Sequence, residues 1–390
     1  MPVTLITFAD LGTKGNLKTP GIMPLINKFR NKKKLQKIIC RLDRDFDFPN
    51  TVQGVNTFLH YLFGALGKTD LFSYYPRKLE EGLFDYKSSM YLDNDSEIVF
   101  FHPSTTFPKS AKQAKKLGSV SVGIATNAHP ITNGIFELEE EKVLNKKIRS
   151  SSAQNRREEL SKNIDSLDYI VAFSDFVKRS YENNKFPAEK IFVANSDIDI
   201  DYFNPEVKKE HDVFRVLFIA HIGALKGLHY LIEAWRNLDL KNSELTILGG
   251  FHSNTSSDIK KKYRQEISLF DNVEWVGFSD DVKYYYNRSS LFVLPSLTEG
   301  NPKVVMEAMA SGLPVITTEN ARSIIEYGKS GFVVPVRDSK AIKERIEYLY
   351  HNKDEGRRIG RQARAAMVEK RPFGEAVYEI YEEICRREGL

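Results

Sequence analysis

At 390 residues the chain has room for two or three domains. Its 41% apolar and 12% aromatic side chains exclude a largely disordered protein. With 57 Lys and Arg against 52 Asp and Glu, the net charge of +5 excludes a histone-like partner of nucleic acid, which needs dense phosphate neutralisation. Cys40 and Cys385 stand too far apart in sequence to suggest a disulfide framework or a cysteine-rich zinc module. No apolar run reaches the roughly 18 residues of a membrane span. The first residues lack the basic and long apolar regions of a signal peptide, so a cytoplasmic protein is the expectation.

Short apolar, β-branched runs predict strands at 4–8, 38–42, 97–101, 119–126, 169–173 and 190–194. A second series follows Asn204-Pro205 and the charged run 207–212. It predicts strands at 215–220, 244–248, 272–276, 290–295, 312–317 and 332–335. Between them lie helical patterns. Leu228, Leu231, Ile232, Trp235 and Leu238 share one face of a helix over 228–238. This alternation predicts an α/β protein with two Rossmann-like domains, whose parallel sheets are covered on both faces. The expected domains are 1–205 and 206–372, with a hinge near 203–213. Pro372 ends a long polar helix. A last amphipathic helix over 373–385, apolar at Val377, Ile380, Tyr381 and Ile384, is expected to complete the first domain through residues 373–390. Ligands of such sheets bind beyond the carboxyl ends of the strands, which points to the cleft between the domains.

The informative segment is 294–318. A strand ends at Pro295, a polar loop holds Glu299, Gly300 and Asn301, and Pro302 has the fixed φ of a helix start. A short helix over 303–310 follows, closed by Ser311-Gly312. Free N–H groups and the positive end of the dipole make such a helix start a phosphate site. Gly300 allows close approach to the backbone. Glu307 lies five residues past Pro302, roughly 7.5 Å along the axis. Two carboxylates so placed suit hydroxyls at separate parts of an elongated ligand, a sugar at one end and a ribose at the other.

The segment resembles the E-x7-E signature of retaining GT-B glycosyltransferases of family 4, the glycosyl transferases group 1. Glu299 and Glu307 match the two glutamates, and EAMASGLPVI follows as it does there. The resemblance implies the GT-B fold, with two facing Rossmann-like domains. It also implies that Glu299 contacts the donor sugar and Glu307 the ribose. The stretch 218–227, FIAHIGALKG, resembles the element that opens the nucleotide domain. It makes Lys226 the diphosphate cation and places His221 at the strand end. Where many members carry an arginine, this chain has His221 and Leu225, so Lys303 and Arg322 are candidate second cations. The family's Gly-Gly and Glu are replaced by TENARS at 318–323. His129, after the strand 119–126, resembles the histidine that lines the donor-sugar site and steers the acceptor hydroxyl. Gly12 and Gly15 resemble the glycine loop that approaches the diphosphate. His102 also ends a strand and ranks below His129.

The resemblance thus implies an enzyme that moves a sugar, with retention, from a nucleotide-diphosphate sugar to a hydroxyl of a glycan, lipid-linked or small-molecule acceptor. No cofactor and no metal are required. Asp197, Asp199 and Asp201 alternate in the interdomain stretch and read as structural. The basic stretch 27–37 is a candidate for peripheral contact with anionic membrane at the inner face. Two other readings share the scaffold: a GT-B sugar-nucleotide epimerase and a non-catalytic binding protein.

Overall fold

The computed structural model describes residues 6–7, 52–53 and 85–390, apart from 87, 91, 93–95, 106, 147, 149–151, 206–212 and 253–254. The expected strand 38–42, Gly12, Gly15, the basic stretch 27–37, Cys40 and the middle of the expected hinge lie outside the described residues. The chain clusters into two compact units, residues 1–123 with 166–168 and residues 124–165 with 169–390.

Near the start of the chain, β1 (Ile6–Thr7) pairs in parallel with β2 (Val52–Gln53). A four-stranded sheet follows with its strands in sequence order: β3 (Ile98–Phe101), β4 (Val120–Ala125), β5 (Tyr169–Ala172) and β6 (Ile191–Val193). The pairs β3–β4 and β5–β6 are parallel. Every residue of β5 is buried. That is why the segment reads as a continuous apolar run rather than an alternating one. The connecting helices are α1 (Pro108–Leu117), α2 (Pro130–Leu144), α3 (Ser152–Ile164) and α4 (Asp175–Glu182). Ser174 caps α4 by accepting from the Val177 N–H at 3.3 Å.

The second sheet has six strands in the order β12-β11-β10-β7-β8-β9 and is parallel throughout. Its strands are β7 (Phe214–Ile219), β8 (Ser243–Leu248), β9 (Val273–Gly277), β10 (Leu291–Leu294), β11 (Val315–Thr318) and β12 (Phe332–Val334). Val216, Leu217, Phe218, Leu245, Ile247, Phe292, Val293 and Ile316 form its centre, all fully buried. The helices are α5 (Leu228–Arg236), α6 (Ser257–Ile267), α7 (Val282–Arg288), α8 (Lys303–Ala310), α9 (Ser339–His351) and α10 (Lys353–Glu369). The expected helices at 228–238 and 303–310 are present as α5 and α8. The expected strand 312–317 begins later, at Val315, because Leu313 and Pro314 precede the ladder and Pro314 has no N–H to donate.

The last helix, α11 (Phe373–Glu388), returns to β5 and β6. The Phe373 ring meets Phe173 edge-on at 5.3 Å, and the Tyr169 hydroxyl donates to Glu388 Oε1 at 2.6 Å. Arg387 lies over the Phe192 ring and donates to the Glu189 carbonyl. Asp197 caps the start of α11, accepting from the Phe373 N–H at 2.7 Å and pairing with Lys370 at 2.5 Å. Asp199 Oδ1 accepts from the Asp201 and Tyr202 N–H groups, closing a local turn. Among the described residues no helix is long and apolar enough to cross a membrane.

Candidate functional site

In the six-stranded sheet the order reverses between β7 and β10, since β7 is flanked by β8 on one side and β10 on the other. In open parallel sheets the loops leaving the two strands at such a reversal part and leave a ligand crevice at their carboxyl ends. Two loops therefore build the site: 220–227 after β7 and 295–302 after β10. They are stitched together at their base. The Leu297 N–H and the Ser296 hydroxyl both donate to the Leu225 carbonyl, at 2.8 and 2.9 Å. Gly227 is left-handed at φ +69°, and a Cβ there would overlap the Pro295 carbonyl. Only glycine lets the two loops close to this distance.

This stitching brings Lys226 and Glu299 together, 73 residues apart in sequence. Lys226 Nζ lies 2.5 Å from Glu299 Oε1, with the carboxylate side chain 12% exposed and the ammonium 30%. Glu307 stands one turn into α8 and accepts from the Tyr286 hydroxyl at 2.9 Å. Burial raises the Glu307 carboxyl above its ordinary range; the Tyr286 hydrogen bond and the Lys303 charge oppose that. Burial, with Glu307 beside it, also raises the Tyr286 phenol. Pro302 is buried and immediately precedes α8, and no side chain caps the first turn. The Lys303 and Val304 N–H groups thus remain the open positive end of the helix. Lys303 and His221 are exposed.

Gly300 and Asn301 show a different use from the one expected. A Cβ on Gly300 would overlap the Thr126 carbonyl, so the backbone that approaches this glycine is the protein's own, from the end of β4. The Asn301 side chain bridges two loops. Its Nδ2 donates to Ser196 Oγ at 3.4 Å, and its Oδ1 accepts from the Ser323 hydroxyl at 2.7 Å. Ser323, within TENARS, is left-handed at φ +52°. Arg322 is exposed and pairs with Glu319 at 3.7 Å.

His129 follows the Thr126 edge and is 2% exposed. Its Nδ1 accepts from the Ile131 N–H at 3.3 Å and caps α2, while its own N–H donates to Ser180 Oγ at 2.9 Å. Tyr181 meets the ring edge-on at 5.2 Å. Burial lowers the imidazole to about 4, so it is neutral at pH 7 with Nε2 carrying the proton. His102 is exposed, and its Nδ1 accepts from the Ser104 N–H.

Sequence reasoning missed Tyr286, Gly227, Asn133 and Thr298. Asn133 Oδ1 accepts from the Thr298 hydroxyl at 2.6 Å, tying α2 to the Glu299 loop. Gly227 carried a signal, since it directly follows the lysine of the loop. Tyr286 carried none, because one tyrosine among three in a row (284–286) gives no hint which is turned inward.

Residues 199–366 match the family model described as glycosyl transferases group 1. The chain is 36% identical over 172 residues to the amylovoran biosynthesis glycosyltransferase AmsK of Erwinia amylovora, covering 40% of this chain and 41% of that protein. It is 29% identical over 217 residues to the capsular polysaccharide biosynthesis glycosyltransferase CapM of Staphylococcus aureus, covering 53% and 56%. The chain thus spans about half the length of the curated relatives it matches. Among solved structures, Anabaena Alr3699/HepE in complex with UDP and glucose superposes with a TM-score of 0.64 at 14% identity, over 98% of this chain and 99% of that one. The fold is therefore GT-B, and its second sheet, with both loops of the crevice, lies in the stretch that matches the glycosyl transferases group 1.

Proposed function

We propose that the protein is a retaining glycosyltransferase of family 4 that transfers a sugar from a nucleotide-diphosphate sugar to a hydroxyl acceptor in polysaccharide, glycan or glycolipid synthesis. The observation that carries the reading is the Lys226–Glu299 pair at the sheet's switch point, beside the uncapped start of α8. A diphosphate in this crevice meets the Lys226 ammonium and the Lys303 and Val304 N–H groups. These stabilise the negative charge that develops as the bond from the sugar C1 to the diphosphate oxygen breaks. Glu299, freed to accept, takes hydroxyls of the donor sugar, and Glu307 takes those of the ribose. Neutral His129, with its proton on Nε2, is a hydrogen-bond donor for the sugar or the acceptor. The acceptor oxygen bonds to C1 on the face that the diphosphate leaves, and the acceptor proton passes to a diphosphate oxygen. Each step needs only groups of the chain and of the donor, so no metal or cofactor is required.

Since the neighbouring Anabaena structure holds UDP and glucose, UDP-hexoses are the first donors to try. We place the protein in the cytoplasm, in peripheral contact with anionic membrane through 27–37. The test is to incubate it with UDP-, GDP- and ADP-sugars and candidate glycan acceptors, following nucleoside diphosphate release and the anomeric configuration of the product by NMR. Acceptor-dependent release with an unchanged anomer supports the reading. Conversion of the nucleotide sugar without any acceptor sinks it in favour of epimerisation.

A further inference from the structure

One fully buried carboxylate, gripped by three side chains, has no part in the chemistry proposed above. Glu140, on α2, has no exposed surface. Its Oε2 lies 2.9 Å from His229 Nε2, and its Oε1 accepts from Arg337 Nε at 2.6 Å. The Tyr230 hydroxyl donates across both oxygens at 3.1 and 3.2 Å. His229 in turn meets the Tyr263 hydroxyl at 2.9 Å through Nδ1. One carboxylate of α2 therefore sits among α5, α6 and the turn after β12. Arg337 grips α2 at two further points, donating to Glu139 at 2.8 Å and lying over the Phe136 ring at 5.4 Å. It does so from a left-handed backbone, φ +65°. That conformation is unfavourable for a side-chain-bearing residue and persists only where surrounding contacts impose it.

The same face of α2 touches the Glu299 loop. Asn133 is seven residues before Glu140, about two helical turns and about 10.5 Å away on nearly the same side. It holds Thr298. One turn earlier stand His129 and the Thr126 carbonyl that seats Gly300. A helix pinned at 140 cannot slide or roll without moving its contact at 133 and the edge at 126–129. A buried ion pair of this kind is weak evidence for stability, and its best-attested use is to fix a register.

We propose that Glu140 is a positioning residue: by clamping α2 onto His229, Tyr230 and Arg337, it sets the register of residues 126–133 against the 298–301 loop, and so the geometry at which His129 meets the bound sugar. This rests on the transferase reading, because a register matters to turnover only where a sugar is transferred. A misplacement of about 1 Å in such a site costs up to about a hundredfold in rate.

Two readouts test it, one of them independent of activity. In Glu140→Gln, amide hydrogen exchange in peptides covering 126–133 and 298–301 should rise, while peptides of β7 and β8 stay protected. The kcat for sugar transfer should fall at least tenfold, with the affinity for UDP changed less than threefold. Arg337→Lys keeps a cation but loses the fork onto Glu139. It should show the same pattern more weakly and serves if Glu140→Gln folds poorly. Unchanged exchange at both segments overturns the proposal, whether or not the protein proves to transfer sugar. So does a kcat within twofold of wild type, or a loss of kcat matched by equal losses of UDP affinity and folded fraction. A wild type that transfers no sugar, but whose exchange responds as stated, counts against the transferase reading and leaves the register clamp supported.

Discussion

Lys226 and Glu299 neutralise one another across 2.5 Å, so removing either leaves a half-buried charge without its partner. On the proposed mechanism Lys226 faces the leaving diphosphate, so Lys226→Ala should reduce turnover by about 10²–10³-fold. Steady-state kinetics at saturating donor reads this directly. Tyr286 is fully buried and its hydroxyl donates a hydrogen bond to Glu307. Tyr286→Phe should cost about 1–3 kcal/mol in urea unfolding, because the Glu307 carboxylate loses its donor in a desolvated position. His129 adds a pH dependence. Its folded value of about 4 lies below the ordinary 6.5, so between those values the unfolded chain binds more protons. Stability from this group is complete above pH 6.5 and is lost as pH falls toward 4, by on the order of 3 kcal/mol. Urea midpoints across that window should fall with acidification. They should fall less in His129→Asn, which keeps a capping acceptor without the titration.

Among the elements, the two loops of the crevice depend on glycine for reasons only partly written in the sequence. Gly300→Ala puts a methyl group into the Thr126 carbonyl. The 298–301 loop must then move off the β4 edge, and transfer should fall at least about tenfold while the six-stranded sheet stays folded. Circular dichroism with kinetics separates the two effects. The strands of that sheet were legible because their apolar runs are buried on both faces, as at Leu291–Leu294. Helix α8 was legible because Pro302 and Ser311-Gly312 punctuate both ends. The Gly300–Thr126 approach was not, because it joins residues far apart in the chain and leaves no local pattern. Glu140 was hidden for a different reason. In the run of three glutamates at 139–141 it looks like a solvated helix face, and only tertiary packing distinguishes it from Glu141.

At the scale of the molecule, alternating strand and helix patterns foretold two parallel sheets, and both are present. Helix α11 packs on β5 and β6; its amphipathic pattern after Pro372 was readable in the sequence, but its partners were not. Deleting 373–390 uncovers Phe173 and Phe192 and removes the N–H that Asp197 accepts from. The truncated chain should melt several degrees lower, as scanning calorimetry would show. On the proposed function, a nucleotide-diphosphate sugar binds between the 220–227 and 295–302 loops. Isothermal titration of wild type, Lys226→Ala and Glu307→Ala with UDP, GDP and ADP tests it most directly. The wild type should bind one of the three saturably, with binding weakened at least about tenfold in both variants. Binding of none of them by well-folded protein, or equal affinity in all three proteins, would contradict it.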